Sequence, residues 1–138
     1  MYTYNPKNVY VKVNGEAIKG YAEDSFITIS PKGEGTQSQT GCDGTVVRSI
    51  DVNKQVTVRL TLQQGSDSNK TLAEKFRADK KDASGAFKLE ITELKDGVFE
   101  TVLNSGEGGA WVQNHAEYTR GKNAGNQEWT LETGEVDF

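Results

Sequence analysis

Few residues in this sequence can supply the chemistry of a catalytic or metal site. Cys42 is the single cysteine and His115 the single histidine among 138 residues. One cysteine cannot form an intrachain disulfide or a thiolate cluster, and one histidine cannot build an open zinc site. His115 lies in a polar stretch without a nucleophile motif nearby, so we expect it at the surface or in a subunit contact. We therefore predict no catalytic residue, no metal and no cofactor.

Long apolar runs are also missing. A membrane-spanning helix needs about 20 predominantly apolar residues, whereas the apolar stretches here are only a few residues long. Met1 to Pro6 lack the basic and apolar regions of a secretion signal, so we expect a soluble protein made in the cytosol. Only 34% of the residues are hydrophobic and 15 are glycine, which predicts a narrow core within one domain over residues 1–138. A thin core is typical of a subunit that its neighbours stabilise.

A basic surface is absent as well. The net charge is −4, and residues 89–138 hold 3 Lys and Arg against 10 Asp and Glu, whereas residues 1–88 hold 13 against 10. Tight DNA binding needs a basic stripe, so this distribution disfavours it. Some of the acidic residues lie on predicted strands, where a glycosidase-like carboxylate pair is the alternative to a solvated acidic surface, which we favour. These residues are Glu90, Glu93, Glu132 and Glu135.

What the sequence does contain is alternation of apolar and polar residues. Asn14-Gly15 and Asp96-Gly97 are typical hairpin turns between alternating segments, while residues 67–81 have helical spacing. Trp111 and Trp129 lie in alternating runs, which predicts core or interface anchors. The predicted fold is mainly β, with about seven to nine strands and one helix. The predicted strands cover residues 9–13, 16–20, 25–30, 45–50, 55–63, 87–92, 98–103, 110–113 and a final stretch over 127–131 and 135–138.

One long polar segment interrupts this pattern. From Pro31 to about Thr45 the sequence is rich in Gly, Ser, Thr and Gln and has no apolar periodicity, which predicts a loop. Loops of this length usually serve a function or are mobile, and the residues leave both interpretations open. Asp43-Gly44 predicts a tight turn into the next strand. Cys42 beside this turn is a candidate for an intersubunit disulfide, although cytosolic assembly keeps thiols reduced.

Several motifs spread along the chain are informative in combination. They are Tyr4-Asn5-Pro6-Lys7-Asn8-Val9, Val13-Asn14-Gly15, Gly20-Tyr21-Ala22, Gly41-Cys42-Asp43-Gly44-Thr45-Val46-Val47-Arg48-Ser49, Leu60-Thr61-Leu62-Gln63-Gln64 leading into Ser68-Asn69, and the stretch from Arg120 that ends in Glu128-Trp129-Thr130-Leu131. Together these motifs resemble one family, the tail tube proteins of contractile-tail bacteriophages. The similarity runs through nearly the whole length, and the combination of motifs carries it rather than any single one.

The resemblance implies a non-enzymatic structural protein. Its fold would be a β-sandwich or barrel-like tail tube fold with one flanking α-helix and a long polar loop. Hexameric rings of the subunit would stack head to tail and form the DNA conduit inside a contractile sheath. The implied partners are further copies of the chain, the tail sheath and baseplate or terminator proteins, while double-stranded DNA passes through without specific binding. The implied location is the virion tail, after assembly in the host cytoplasm.

The resemblance also suggests which residues serve assembly. Part of the polar loop would contact the adjacent ring, and the candidates are Gly41, Cys42, Asp43, Gly44 and Arg48. The acidic bias after residue 88 makes Glu132 and Glu135 candidates for the channel lining, because an acidic wall repels DNA. These two residues are three apart, so on a regular strand they lie on opposite faces.

Two other classes of protein remain as alternatives. A tube protein of a contractile injection or type VI-like secretion system would share the fold and the assembly, so the sequence does not separate it from a phage tail tube. A carbohydrate-binding β-sandwich would be monomeric and would present exposed aromatic residues to a sugar.

Overall fold

The computed structural model describes residues 3–23, 26–117, 121–134 and 136. The chain is mainly β with one α-helix in these residues, as the sequence predicts. A short 3₁₀ helix, Pro6–Asn8, precedes the first strand. The other elements are β1 (Val9–Val13), β2 (Glu16–Ala17), β3 (Ile27–Pro31), β4 (Thr36–Thr40), β5 (Val46–Ile50), β6 (Val56–Gln63), α1 (Ser68–Asp82), β7 (Leu89–Lys95), β8 (Val98–Asn104), β9 (Ala110–Asn114) and β10 (Asn126–Thr133).

The strands form two four-stranded antiparallel sheets and a separate hairpin. The first sheet has the order β2-β1-β7-β8, and the second sheet has the order β3-β6-β10-β9. β4 and β5 pair only with each other among the described residues. The predicted hairpin turns are confirmed, since Asn14 and Asp96 have positive φ angles beside Gly15 and Gly97. The predicted final strand over 135–138 lies largely outside the described residues.

One segment differs from the sequence prediction. The polar loop predicted from Pro31 to about Thr45 contains strand β4, which pairs in register with β5 from Thr36↔Ile50 to Thr40↔Val46. Apolar periodicity detects a strand by its buried face, and β4 has no buried face because all five of its residues are exposed. The backbone hydrogen bonds between β4 and β5, rather than buried side chains, hold β4 in place.

The two large sheets share a single apolar core. Alternate residues of each sheet point inward, as the burial pattern of β6 illustrates, with Val56, Val58, Leu60 and Leu62 all buried. The first sheet contributes the inward-facing residues of β1 and β7, and β8 adds Leu103. The opposite face of the second sheet is polar, so each strand of that sheet separates the core from a hydrophilic surface.

Trp129 joins the helix to the second sheet. Its side chain is fully buried on β10, and its indole Nε1 donates a hydrogen bond of 2.8 Å to Oδ1 of Asn69 in the first turn of α1. The Asn69 amide nitrogen donates in turn to the backbone oxygens of Gln63 and Ser66. The prediction of Trp129 as a core anchor is confirmed, and α1 is fixed over the core by a buried polar contact as well as by Leu72.

His115 is packed against this anchor. The ring centroid of His115 lies 4.6 Å from that of Trp129 and 5.4 Å from that of Phe76 on α1. The side chain is half-buried, so part of it lies at the surface, and whether it also lies in a subunit contact stays a prediction. An aromatic ring that fills a gap between a helix and a strand cannot be recognised from a polar sequence neighbourhood.

We expect Asn69→Ala to destabilise the subunit by about 1–3 kcal/mol, because the buried indole N–H then has no acceptor. The matched control is Lys70→Ala, since Lys70 is the next residue of the helix and is exposed. Chemical denaturation of both variants measures the effect. Equal midpoints for Asn69→Ala and the wild type would show that this contact does not anchor the helix.

Candidate functional site: an exposed arm and an apolar cleft

Residues 32–55 form an arm that continues the β3–β6 pair beyond the second sheet. β3 ends at Pro31 and β6 begins at Val56, and Lys32 N donates to Gln55 O at 3.0 Å to start the arm. None of the arm's residues is buried. Since a strand advances about 3.3 Å per residue, ten residues from the base to the tip give the arm a reach of roughly 30 Å.

Asp51 holds the base of the arm in place. Its Oδ2 accepts a hydrogen bond from Glu34 N at 2.8 Å, and its Oδ1 accepts one from Asn53 N at 2.9 Å. These two backbone donors keep the pKa of the Asp51 carboxyl below its usual value of 3.8. Gly33 fits beside this clamp only because it has no side chain, since a Cβ there would lie 2.5 Å from the Asn53 carbonyl oxygen.

The candidates Gly41, Cys42, Asp43 and Gly44 lie together in the turn at the tip of the arm. Gly44 has a φ of 85°, a left-handed conformation that favours glycine. Asp43 Oδ1 accepts from Thr45 N at 3.0 Å, and hydrogen bonding at Thr45 lowers the pKa of the Asp43 carboxyl. The Cys42 thiol is free and exposed. The predicted turn is confirmed, and the structure brings these four residues together at the end of a projection.

Arg48, the fifth candidate, lies on β5 opposite Ser38 and is exposed. The sequence interpretation missed its apolar neighbours, which are more conspicuous in three dimensions. Four apolar residues on and just after β5 are between 59% and 84% exposed, namely Val46, Val47, Ile50 and Val52. Exposed apolar patches are typical of interaction surfaces, which makes these four side chains candidates for a contact with another molecule. The sequence feature that could have predicted these exposed residues is the β-branched composition of β5, next to a polar segment that offers it no apolar partner strand.

A second apolar surface lies between the two sheets, where they separate. This cleft has a volume of about 1110 Å³ and is lined by residues of β1, β3, β7, β8 and the segment between β2 and β3. Tyr21 and Phe26 contact each other in its wall, with ring centroids 4.7 Å apart. Burial raises the pKa of the Tyr21 hydroxyl above 10.0, and a backbone hydrogen bond at Val11 partly offsets this. The side chains of Ile27, Ile29 and Val102 are only partly buried there.

The lumen candidate Glu132 lies on the outward-facing side of β10. It pairs in register with Thr57 on β6 and with Trp111 on β9, and its carboxylate forms an ion pair with Lys32 at the base of the arm. The second lumen candidate, Glu135, lies outside the described residues. Whether either residue lines a channel stays a prediction, and the ion pair means that Glu132 is not a bare negative charge.

The outer face of the second sheet is polar apart from Trp111 at its edge. Its central strands present hydroxyl and charged side chains, with Arg59 opposite both Thr28 on β3 and Thr130 on β10. Glu128, which is exposed, pairs opposite Thr61 on the same face. Trp111 is half-buried beside Glu132 at the edge. The alternation of apolar and polar residues predicts one polar side for each strand. Only the order of the strands in the sheet brings the polar residues of four distant segments together on one face.

No group of metal-ligating side chains is present in the described ranges. In the same residues, no helix has both the length and the apolar character needed to cross a membrane. Three surfaces stand out in the described residues: an arm with exposed apolar side chains on β5, an apolar cleft and a polar sheet face.

Comparison with known proteins identifies the family. Residues 7–138 match the profile of the family described as Bacteriophage PhiTE tail tube protein. The chain belongs to this tail tube family. The resemblance inferred from the sequence motifs is thereby confirmed, and the family is one of structural components of the virion tail. No curated protein matches the chain.

Solved structures from contractile injection systems share the fold of this tail tube family member. The anti-feeding prophage cap, described as a tube terminating cap, is 13% identical with a TM-score of 0.64, and the match covers 99% of this chain and 91% of the cap. The sheath/tube terminator of an extracellular contractile injection system, PVC, in its extended state, is 17% identical with a TM-score of 0.61, covering 99% and 96% respectively.

We expect the arm of this tail tube family member to depend on the charge of Asp51. Because its folded pKa is lowered, the clamp stabilises the arm above about pH 3.8 and loses this effect as the pH falls through the lower folded value. Asp51→Ala should therefore speed amide hydrogen exchange in β4 and β5 at neutral pH, and it should reduce the additional loosening of the arm in acid to the part that comes from Asp43 at the tip.

The control is Asp82→Ala, which removes a carboxylate that accepts similar bonds from Ser84 far from the arm. Exchange in β4 and β5 should be unchanged in this variant. If Asp51→Ala and the wild type exchange alike at neutral pH, the β4–β5 backbone pairing suffices and the clamp is dispensable.

Proposed function

We propose that this chain is a non-enzymatic tail tube subunit that assembles with copies of itself into hexameric rings, and that stacked rings form the DNA conduit inside a contractile sheath. The observation that carries the proposal is the match to a tail tube family over residues 7–138. Assembly would take place in the host cytoplasm before the tail joins the virion. Sheath and baseplate or terminator proteins are the further partners that this role requires.

The edges of the second sheet suit a closed ring. β3 and β9 are its edge strands, and each strand in the order β3-β6-β10-β9 runs antiparallel to its neighbour. β3 and β9 therefore run in opposite directions, so β9 of one subunit next to β3 of another continues the antiparallel pattern. Phe87 bridges the outer edge of β9 at Ala110, which leaves Trp111 to Asn114 for this pairing. Such edge-to-edge contacts are heterologous, and they close into a ring when the rotation between neighbouring subunits adds up to a full turn.

The arm suits contact between rings. Its tip, with Gly41, Cys42, Asp43 and Gly44, extends well beyond the second sheet, and Arg48 and the apolar residues of β5 follow the tip along one strand. A ring of such arms offers the adjacent ring an apolar surface that the free subunit leaves in water, and its burial favours stacking. This keeps the sequence-based assignment of the arm residues as inter-ring candidates.

The polar outer face of the second sheet suits the channel wall. Its hydroxyl groups and its mixture of Arg59, Glu128 and the Lys32–Glu132 pair offer no basic stripe to which a phosphate backbone would bind. DNA would slide past such a wall without being held. In this arrangement Glu132 contributes to the lining as one half of an ion pair.

A second candidate function is that of a tube terminator, which caps the tube instead of building its length. The specific observation in its favour is that both solved structures described above come from a tube terminating cap and a sheath/tube terminator. Their identities of 13% and 17% show a shared fold alone. The two functions differ in copy number, since a terminator occurs once at the tube end and a tube subunit occurs in every ring.

We expect the purified protein to form rings or tubes at high concentration, visible by negative-stain electron microscopy. Quantitative mass spectrometry of purified tails should find the chain in many copies relative to baseplate components. A copy number of a single ring would favour the terminator. A protein that stays monomeric and is absent from the tails would refute both functions.

If the outer face of the second sheet lines the channel, Glu128→Lys should slow DNA release from assembled particles, most strongly at low salt. A lysine repeated in every ring would attract the phosphate backbone, and salt screens this attraction. Glu128 is a cleaner position than Glu132, because a change at Glu132 also leaves Lys32 without its partner. Fluorescence of a DNA-binding dye follows the release.

The matched control is Glu74→Lys, an equal charge change at an exposed position of α1. Release should be normal in this variant. Equal release rates for both variants at low salt would mean that this sheet face does not meet DNA.

A further inference from the structure

We infer that the apolar cleft of one subunit receives strand β5 of the arm of a second copy, with Val46 and Ile50 entering the cleft. The inference rests on the proposed function in that it names the surface on which the arm would dock between rings. It goes further by pairing two surfaces of the chain, the arm and the cleft, that each lack a partner within the described subunit.

The arm needs an apolar partner that its own chain does not supply. Val46 and Ile50 alternate along β5 and so share one face, with Arg48 between them. Opposite them on β4 are Thr40 and Thr36, which cover neither side chain. Both apolar residues stay about two-thirds exposed, at 62% and 66%. The hairpin is thus held by its backbone, and its apolar side chains are left for another surface.

The cleft has the shape and lining to take a strand. Its volume of about 1110 Å³ exceeds the range of roughly 300–1,000 Å³ typical of small-molecule pockets, and it is an open trough between two sheets. Its walls are largely apolar, with Ile27 and Ile29 on one side and Val102 on the other. Charged residues lie in the lining as well, Lys7, Lys19, Glu23 and Glu93 among them. A lining that is largely apolar and also contains charged side chains suits strand β5, in which Arg48 lies between Val46 and Ile50 on one face.

The positions of the two surfaces favour a second copy as the occupant. The arm leaves the second sheet at the end of β3, after Pro31, whereas the cleft is lined by Phe26, Ile27 and the segment Lys19–Glu23, at and before the start of β3. The lining reaches Ile29 along β3, so the cleft lies towards the start of this strand and the arm lies beyond its end. A contact between the arm of one subunit and the cleft of another joins two different surfaces of identical subunits, so it is heterologous and can repeat along a stack.

Disulfide trapping tests the pairing directly. In a Cys42→Ser background, which removes the native thiol, Ile50→Cys on the arm is combined with Val102→Cys in the cleft. Two cysteines bridge only when their Cα atoms lie within about 7 Å, so mild oxidation should give a ladder of covalent dimers, trimers and longer chains. The control pair combines Ser49→Cys, on the other face of β5, with Val102→Cys, and it should cross-link severalfold less.

A second variant tests the energetic role of the same contact. Ile50→Asp should leave the melting temperature of the free subunit unchanged, because Ile50 is exposed there, and should abolish tubes. Val98→Asp is the matched control, since Val98 is equally exposed at 64% on the β7–β8 hairpin away from the arm. It should leave tubes intact.

The cross-links and the microscopy answer separate questions. Tubes that form without the Ile50–Val102 ladder, or with an equal ladder from the control pair, would overturn the docking of β5 in the cleft and leave the tube function standing. A selective ladder in a protein that forms no tubes would support the docking and count against the tube. No ladder in concentrated protein, with or without tubes, would overturn the docking, as would tubes of normal yield from Ile50→Asp.

Discussion

The contact between Trp129 and α1 is the constraint on which the fold depends. The hydrophobic residues are few, and most of them are used on the inward faces of two sheets. Little apolar surface remains to attach a helix, so the indole of Trp129 makes a buried hydrogen bond to Asn69 of α1, and the ring of His115 packs between Trp129 and Phe76 of the helix. The cleft lies beside β3, at the edge of the second sheet opposite to β9.

The surfaces that we propose for assembly lie outside the core, which already uses most of the apolar residues. The arm has no buried residue, yet it is ordered by the β4–β5 ladder and by the Asp51 clamp at its base. Backbone pairing orders a segment without using apolar side chains, so Val46 and Ile50 remain available for another molecule. The subunit thereby combines an ordered body with exposed apolar side chains, which is the combination that the proposed assembly needs.

The second sheet carries its charged side chains on its outer face and most of its apolar side chains on its inner face. The outer face of the second sheet is polar and nearly balanced, since Glu132 is matched by Lys32 and Arg59 lies among threonines. The acidic excess of the C-terminal third predicts an acidic channel lining, but Lys32 and Arg59, from the basic half of the sequence, offset part of that charge on this face. A face with this balance avoids both strong attraction and strong repulsion of a phosphate backbone, as the proposed channel wall requires.

The sequence by itself determined the local elements. Alternation placed the inward faces of β1, β6, β7 and β10, the Asn-Gly and Asp-Gly pairs placed the turns, and helical spacing placed α1, because these signals act over a few neighbouring residues. The family motifs, spread over the whole chain, were also readable. Only the tertiary structure decided that the polar segment is a paired arm, that His115 packs on Trp129, and that Glu132 meets Lys32. The contacts of His115 and Glu132 depend on residues that are separated in sequence, whereas the arm is a local hairpin that sequence periodicity did not detect because β4 has no buried face.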